Sequence, residues 1–227
     1  MCSSDLADTL YGGSGDDIYI VTFAPGDEGL PIVDIAWEVE VGGFDPGGVD
    51  TLRTNAGRVQ LVDRVENIEA SFSAAGLNSQ GVVAMGNALD NRITTAEGKD
   101  TLAGTWGHDT LAGGLGDDLY VLLIPFGTIA HATIEGFTPG ADHIVLHNMW
   151  NGQSAPLKSL SPDRFKLIGA GGVVDRDDLV IYDVTTGALS YDTDGKFSTP
   201  AVEVALIQGN PALSAADFIL AGEQWSY

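Results

Sequence analysis

Between Gly86 and Val121 an apolar residue returns at every ninth position, as Ile93, Leu102, Leu111 and Tyr120. Each stands two residues after Asn91, Asp100, Asp109 or Asp118, and each of those closes a stretch rich in glycine. Written as nonamers the segment reads GNALDNRIT, TAEGKDTLA, GTWGHDTLA and GGLGDDLYV, without a gap. A fixed short period of this kind predicts stacked units, each with about six residues of turn and three of strand. Glycine recurs at the fourth position as Gly98, Gly107 and Gly116, with Leu89 in its place in the first nonamer. A second array opens the chain, where Gly12 to Ile20 reads GGSGDDIYI and the nonamer before it keeps Asp8 and Leu10. The two arrays also match over a longer stretch, DDIYIV at Asp16 to Val21 and DDLYVL at Asp117 to Leu122.

Outside the arrays the pattern is that of short strands and turns, with no helical period. Residues 21–85 offer Ile32-Val33, Trp37 to Val41, Asp50 to Leu52 and Val65 to Ile68. After Leu122 the glycine-aspartate repeats stop. The strand candidates there are Ile144 to Leu146, Phe165 to Ile168, Leu179 to Tyr182, Ala188 to Tyr191 and Val202 to Ile207. Thr185-Thr186-Gly187 predicts a tight hairpin, with Gly187 in the left-handed position. Ser214 to Leu220 (SAADFIL) predicts one helical turn, capped by Ser214 with Asp217 three residues on.

Composition sharpens this picture in two ways. The formal net charge is −22, and of the 32 acidic residues 23 are Asp and nine Glu, a bias toward turns and metal loops rather than helix faces. So acidic a surface excludes nucleic acid and anionic membranes as partners. The hydrophobic share of 44% argues against a disordered chain. No run of about 18 apolar residues occurs, so no helix is predicted to span a membrane. The single cysteine, Cys2, allows no disulfide framework. Met1 to Leu6 read like a translated sequencing adapter, which predicts an assembly scar and a natural chain that continues upstream.

In the pattern G-G-x-G-x-D-x-U-x the glycines let the backbone bend and turn its carbonyls inward, while the aspartate adds charge. Oxygen-only ligands at this density suit a hard cation such as Ca²⁺. The four nonamers resemble the RTX (repeats-in-toxin, haemolysin-type) calcium-binding repeats. The resemblance implies an all-β fold, a parallel β-roll or β-solenoid in which two nonamers make one turn and loops 18 residues apart share a calcium ion. It pairs Asn91 with Asp109 on one edge and Asp100 with Asp118 on the other. The implied shell takes in Gly98 and the carbonyls near Gly104, Gly107, Gly113, Gly114 and Gly116. In the first array it implies Gly12, Gly13, Gly15 and Asp17, with Asp8 on the opposite edge from Asp17. The sequence departs from the pattern at Asn91, which lacks the charge, and at Thr95, Ala96 and Thr105, which stand where glycine is expected. Asp100 with Asp118 is therefore the stronger pair.

Other candidates are weaker. Asp192 and Asp194, in the run Tyr191 to Gly195, look like part of a calcium loop, but the glutamate that closes an EF-hand is missing. His143 and His147 share one face of a strand without a third zinc ligand. Ile134 to Phe137 with Asp142 to Leu146 resembles the strand pair that closes many RTX rolls. Asp178 to Ile219 resembles the C-terminal region of RTX proteins exported by type I secretion. No metalloprotease, nucleophile-elbow or phosphate-loop motif occurs, so no enzymatic activity is expected of this chain. The expected layout is a partial array at 1–20, a β-rich segment at 21–85, a calcium roll at 86–121, and a capping and secretion region at 122–227. The expected role is calcium binding that drives extracellular folding. The alternatives are a polysaccharide-binding module beside an upstream enzyme, and the C-terminal part of an RTX hydrolase or toxin.

Overall fold

The computed structural model describes residues 9–11, 15–21, 35–37, 47–61, 64–70, 81–124, 131–148, 157–169, 174–175, 177–192 and 200–221. Met1 to Leu6, Asp8, Gly12, Gly13, Ile32-Val33 and Asp194 lie outside them.

Every long element is a strand. Before the four nonamers come β1 (Thr9–Tyr11), β2 (Ile18–Val21), β3 (Ile35–Trp37), β4 (Thr51–Thr54), β5 (Arg58–Gln60), β6 (Asn67–Ala70) and β7 (Val83–Met85). Starting within them are β8 (Arg92–Thr94), β9 (Glu97–Gly98), β10 (Thr101–Ala103), β11 (His108–Ala112), β12 (Leu115–Gly116) and β13 (Leu119–Ile124). There follow β14 (His131–Glu135), β15 (His143–Asn148), β16 (Lys158–Ser159), β17 (Phe165–Ile168), β18 (Val180–Asp183), β19 (Ala188–Tyr191), β20 (Val202–Ile207) and β21 (Phe218–Ala221).

Two sheets hold most of these strands. One has ten, in the order β17-β18-β19-β20-β14-β11-β8-β6-β4-β2, and the other seven, in the order β16-β21-β15-β13-β10-β7-β5. From β4 to β15, apart from β9 and β12, which pair with each other in the turns, the strands alternate between the two sheets and each pairs in parallel with its neighbour one visit earlier. Ile93 thus faces Leu111, and Leu102 faces Tyr120, each pair 18 residues apart in sequence. The period explains the register. Two nonamers bring every apolar eighth residue back onto its predecessor, and a slip by one would turn all of them to solvent.

The inward rows meet in one core. Ile68, Ile93, Leu111 and Ile134 from the larger sheet and Leu102, Tyr120, Ile144 and Phe218 from the smaller are all fully buried in a single cluster. Each such side chain contributes roughly 1.5–3 kcal/mol by leaving water. The pairing runs across residues 85/86 and 121/122 without a break, because β7 pairs with β10 and β13 with β15. Segments 21–85, 86–121 and 122–227 therefore all contribute strands to the two sheets.

Past β15 the larger sheet changes character. β18 and β19 form an antiparallel hairpin whose turn holds Gly187 at φ +81°, and β20 closes it back onto β14. The helical turn expected over Ser214 to Leu220 is shorter than its sequence suggests. Only Ala215–Asp217 turns, as a 3-10 element, with the Asp217 carboxylate accepting from the Ser214 N–H at 2.7 Å. Phe218 and Leu220 instead alternate inward on β21, where a strand buries both and a helix would bury one.

Candidate metal centre

The sixth residue of each nonamer sits at the entrance to its strand, on the edge of a sheet. There its side chain meets the main chain of the loop one turn before it. On the smaller sheet Val82 N–H donates to Asp100 Oδ1 at 2.6 Å, Asp100 N–H to Asp118 Oδ1 at 2.9 Å, and Asp118 N–H to Asp142 Oδ1 at 3.0 Å. On the larger sheet Asp17 N–H donates to Asp50 Oδ1 at 2.8 Å, Asp50 N–H to Glu66 Oε2 at 2.8 Å, and Asn91 N–H to Asp109 Oδ1 at 2.9 Å. Each of these carboxylates satisfies a strand-entry amide with one oxygen; the second oxygen of Asp142 accepts from Thr138 N–H at 2.7 Å, while those of Asp17, Asp100 and Asp118 are left over.

Those second oxygens are the anomaly. Oδ2 of Asp17, Asp100 and Asp118 is buried and accepts no hydrogen bond. Asp100, Asp109, Asp118 and Asp142 are at most 4% exposed, and among the described residues no Lys, Arg or His forms an ion pair with any of the first three. Burying ionised carboxylates without a compensating charge costs several kcal/mol each. Burial accordingly pushes Asp109 up to about 7 and Asp118 up to about 6, the latter also repelled by Asp100 and Asp142, and it raises Asp100 as well.

The glycines make the space that these carboxylates occupy. A Cβ on Gly104 would overlap the Asp109 carboxylate, and one on Gly113 would overlap that of Asp118. At the fourth positions Gly98, Gly107 and Gly116 all have φ above +100°, and a Cβ on Gly116 would sit on the carbonyl oxygen of Gly98, one turn away. Parallel pairing of β9 with β12 stacks these two turns, and Leu115 N–H donates to Ala96 O at 2.7 Å. Gly15 and Gly47 repeat the arrangement in the earlier turns, joined at 2.9 Å.

The departures from the repeat pattern have a physical reading. Thr105 keeps the left-handed backbone of the missing glycine, at φ +79°, and its hydroxyl donates to the Asn87 carbonyl. Thr95 donates to the Gly113 carbonyl at 2.8 Å, again one turn away. Both replace some glycine freedom with a direct cross-link between turns. Asn91 goes further. Its Nδ2 donates to Asn87 Oδ1 at 3.0 Å and to Glu66 O at 3.1 Å, while its Oδ1 accepts from Asn87 N–H at 2.8 Å. The amide meets its needs within the protein, whereas Asp100 and Asp118 do not.

The donor set fits a hard cation. Among the described residues no three His, Cys, Asp or Glu side chains converge as a ready shell. A cation between stacked turns would therefore take carboxylate oxygens from neighbouring rungs and complete its sphere with main-chain carbonyls, the mixture Ca²⁺ accepts.

A family model for the RTX calcium-binding nonapeptide repeat matches residues 5–20 and 85–120, in four copies. The chain carries RTX calcium-binding repeats. No curated protein matches it. The RTX model stops short of two turns that the fold adds to the ladder, those ending in Asp50 and Asp142, both buried. Gly47-Gly48-Val49-Asp50 keeps the last part of the motif, and this was the available signal for it in the sequence. Asp142 was quoted only as part of a closing strand pair. Asp17, nine residues from Asp8, finds its partner 33 residues away in Asp50. Asp192 is buried at the end of β19, its N–H bonded to Leu179 O at 2.8 Å, away from the stacked turns. His143 and His147 are half-buried rather than exposed, on the outward face of β15.

The burial of the carboxylates also predicts a pH dependence. Their folded-state values lie above the ordinary carboxylate range near 4, so the stability they contribute is present at low pH and is lost as pH rises through about 6 to 7. Asp117 and Asp183 are shifted the other way, but both are solvent-exposed and count for less. Without calcium the chain should therefore keep more of its β structure at pH 5 than at pH 7.5. Circular dichroism in chelator across that range checks it, and a β signal that rises with pH would contradict the burial argument.

Proposed function

We propose that this chain is a calcium-responsive β-roll that folds on binding the ion outside the cell, as the carrier and export part of a secreted protein. The observation that carries the reading is the pair of buried, unpartnered oxygens on Asp100 and Asp118 in turns stacked 18 residues apart. Asp100 with Asp118 is the leading pair, Asp118 with Asp142 continues its ladder, Asp17 with Asp50 is a pair on the edge of the larger sheet, and Asn91 with Asp109 is weaker. Main-chain carbonyls of the glycine turns around Gly98, Gly104, Gly107, Gly113, Gly114 and Gly116 complete the donors. Bound Ca²⁺ would supply the positive charge that Asp100 and Asp118 do not find among the described ion pairs.

The chain's own part is to converge and to desolvate. Its net charge of −22 opposes compaction. The stacked turns bring the carboxylates to fixed rungs, and the core beneath closes only when those rungs are neutralised. In this reading the chain binds and does not catalyse. A far-UV circular dichroism titration with CaCl₂ tests it, with β signal expected to appear cooperatively and a flat titration counting against it.

Export rests on the resemblance of Asp178 to Ile219 to the C-terminal region of type I secreted proteins. Coexpression with a type I machinery should deliver the full chain to the medium and retain a chain ending at residue 177. Secretion of both would remove the assignment. The polysaccharide reading calls for an aromatic or basic strip. Among the residues whose burial is described Trp106 is the one exposed aromatic, so no observation favours it.

A further inference from the structure

The outward face of the larger sheet brings two histidines together that are 23 residues apart in sequence. His108 opens β11 and His131 opens β14, and the two are directly paired in the parallel register. On these strands Asp109, Leu111, Ala132 and Ile134 turn inward, so His108 and His131 share the outward side. Their ring centroids are 5.7 Å apart with the planes tilted by 38°. His131 Nε2 lies 2.9 Å from Glu203 Oε1, contributed by β20 on the next strand over.

We infer that His108 and His131 form a second metal site, for a borderline transition cation such as Zn²⁺, independent of the calcium turns. Imidazole nitrogen favours Zn²⁺, Cu²⁺ and Ni²⁺, where the aspartate turns favour hard cations. Two imidazoles bound to one zinc at about 2.0–2.1 Å place their ring centroids roughly 5–6 Å apart. The observed spacing meets that without moving either strand. Glu203 acts as a positioning residue. An ionised carboxylate beside Nε2 keeps the proton on that nitrogen and leaves the Nδ1 lone pair of His131 for a metal, the usual carboxylate–histidine support. His131 is one-fifth exposed and His108 is open to solvent, so an ion reaches the pair from outside. With two protein ligands the remaining positions belong to water, which agrees with the absence of any three-ligand group among the described residues.

His143 and His147 make the useful contrast. They lie four apart on one strand, which separates them by about 13 Å at the ordinary rise, too far to share an ion.

The test is isothermal titration of the untagged, calcium-saturated chain with ZnCl₂. One zinc per chain is expected, unaffected by excess Mg²⁺. His131→Ala should abolish it with the calcium-dependent β signal unchanged, Glu203→Gln should weaken it about tenfold, and His143→Ala with His147→Ala should leave it intact. Zinc binding that survives both His131→Ala and His108→Ala, or no binding by the parent chain, would overturn the inference. If His131→Ala fails to fold, Glu203→Gln decides alone, and an unchanged affinity there counts against the site.

Discussion

Chelation should strip the chain of most of its β structure, and millimolar calcium should restore it. The expectation follows from the number of buried carboxylates rather than from any single one. Asp100, Asp109, Asp118, Asp142, Asp178 and Asp217 are all buried, and among the described residues the ion pairs reach only Asp178 of these, 3.7 Å from Lys166 Nζ. At extracellular affinities of ~10⁻⁴ to 10⁻³ M, calcium near 1 mM stabilises each site by roughly 0.4 to 1.4 kcal/mol. That is small singly. Two such sites in one ladder, Asp100 with Asp118 and Asp118 with Asp142, add up to roughly 1 to 3 kcal/mol, a large fraction of a margin that the unneutralised buried carboxylates have already cut below the usual range of about 5–15 kcal/mol. Because neighbouring sites share ligands, the transition should be steeper in calcium than one-site binding. Circular dichroism and melting temperature measure it, and identical melts in chelator and in calcium would defeat the proposal.

Replacing Asp118 by asparagine should uncouple stability from calcium. The substitution keeps an oxygen for the Asp100 N–H at 2.9 Å and removes a fully buried charge whose protonation burial already favours, at about 6. The chelated variant should therefore be at least as stable as the chelated parent at pH 7, while its calcium-induced rise in melting temperature shrinks to a fraction. Asn91→Ala should behave in the opposite way. Its amide makes three hydrogen bonds to Asn87 and Glu66 at a buried position, so their loss costs about 1–3 kcal/mol with or without calcium. Equal loss of the calcium response in both variants would show that the two rungs had been ranked wrongly. Thermal melts with and without calcium separate the cases.

The nonamer register and the 18-residue pairing were legible because they are local. Six turn residues and three strand residues define the repeat, and the eighth-position side chains can stack only in that phase. The hairpin at Gly187 was legible for a similar reason, its φ of +81° being a position glycine accepts freely. Val82 shows where legibility ends. It occupies the strand-entry position opposite Asp100, but with no carboxylate to mark it the strand that follows, β7, went unread. Asp50 and Asp142 carry the carboxylate, yet their turns lack the full glycine pattern. Spacings of 33 and 24 residues to Asp17 and Asp118 hide the pairing from any fixed period.

From the sequence alone came the class of the fold, the identity of the repeats and the kind of cation they take, because each is written within nine or eighteen consecutive residues. Tertiary structure alone decided how far the carboxylate ladder runs past the repeats, which oxygens stay unpartnered, and that His108 meets His131 beside Glu203. The physical reason is that lateral neighbours in a parallel sheet are set by the length of the intervening connections, and those lengths vary once the repeat ends.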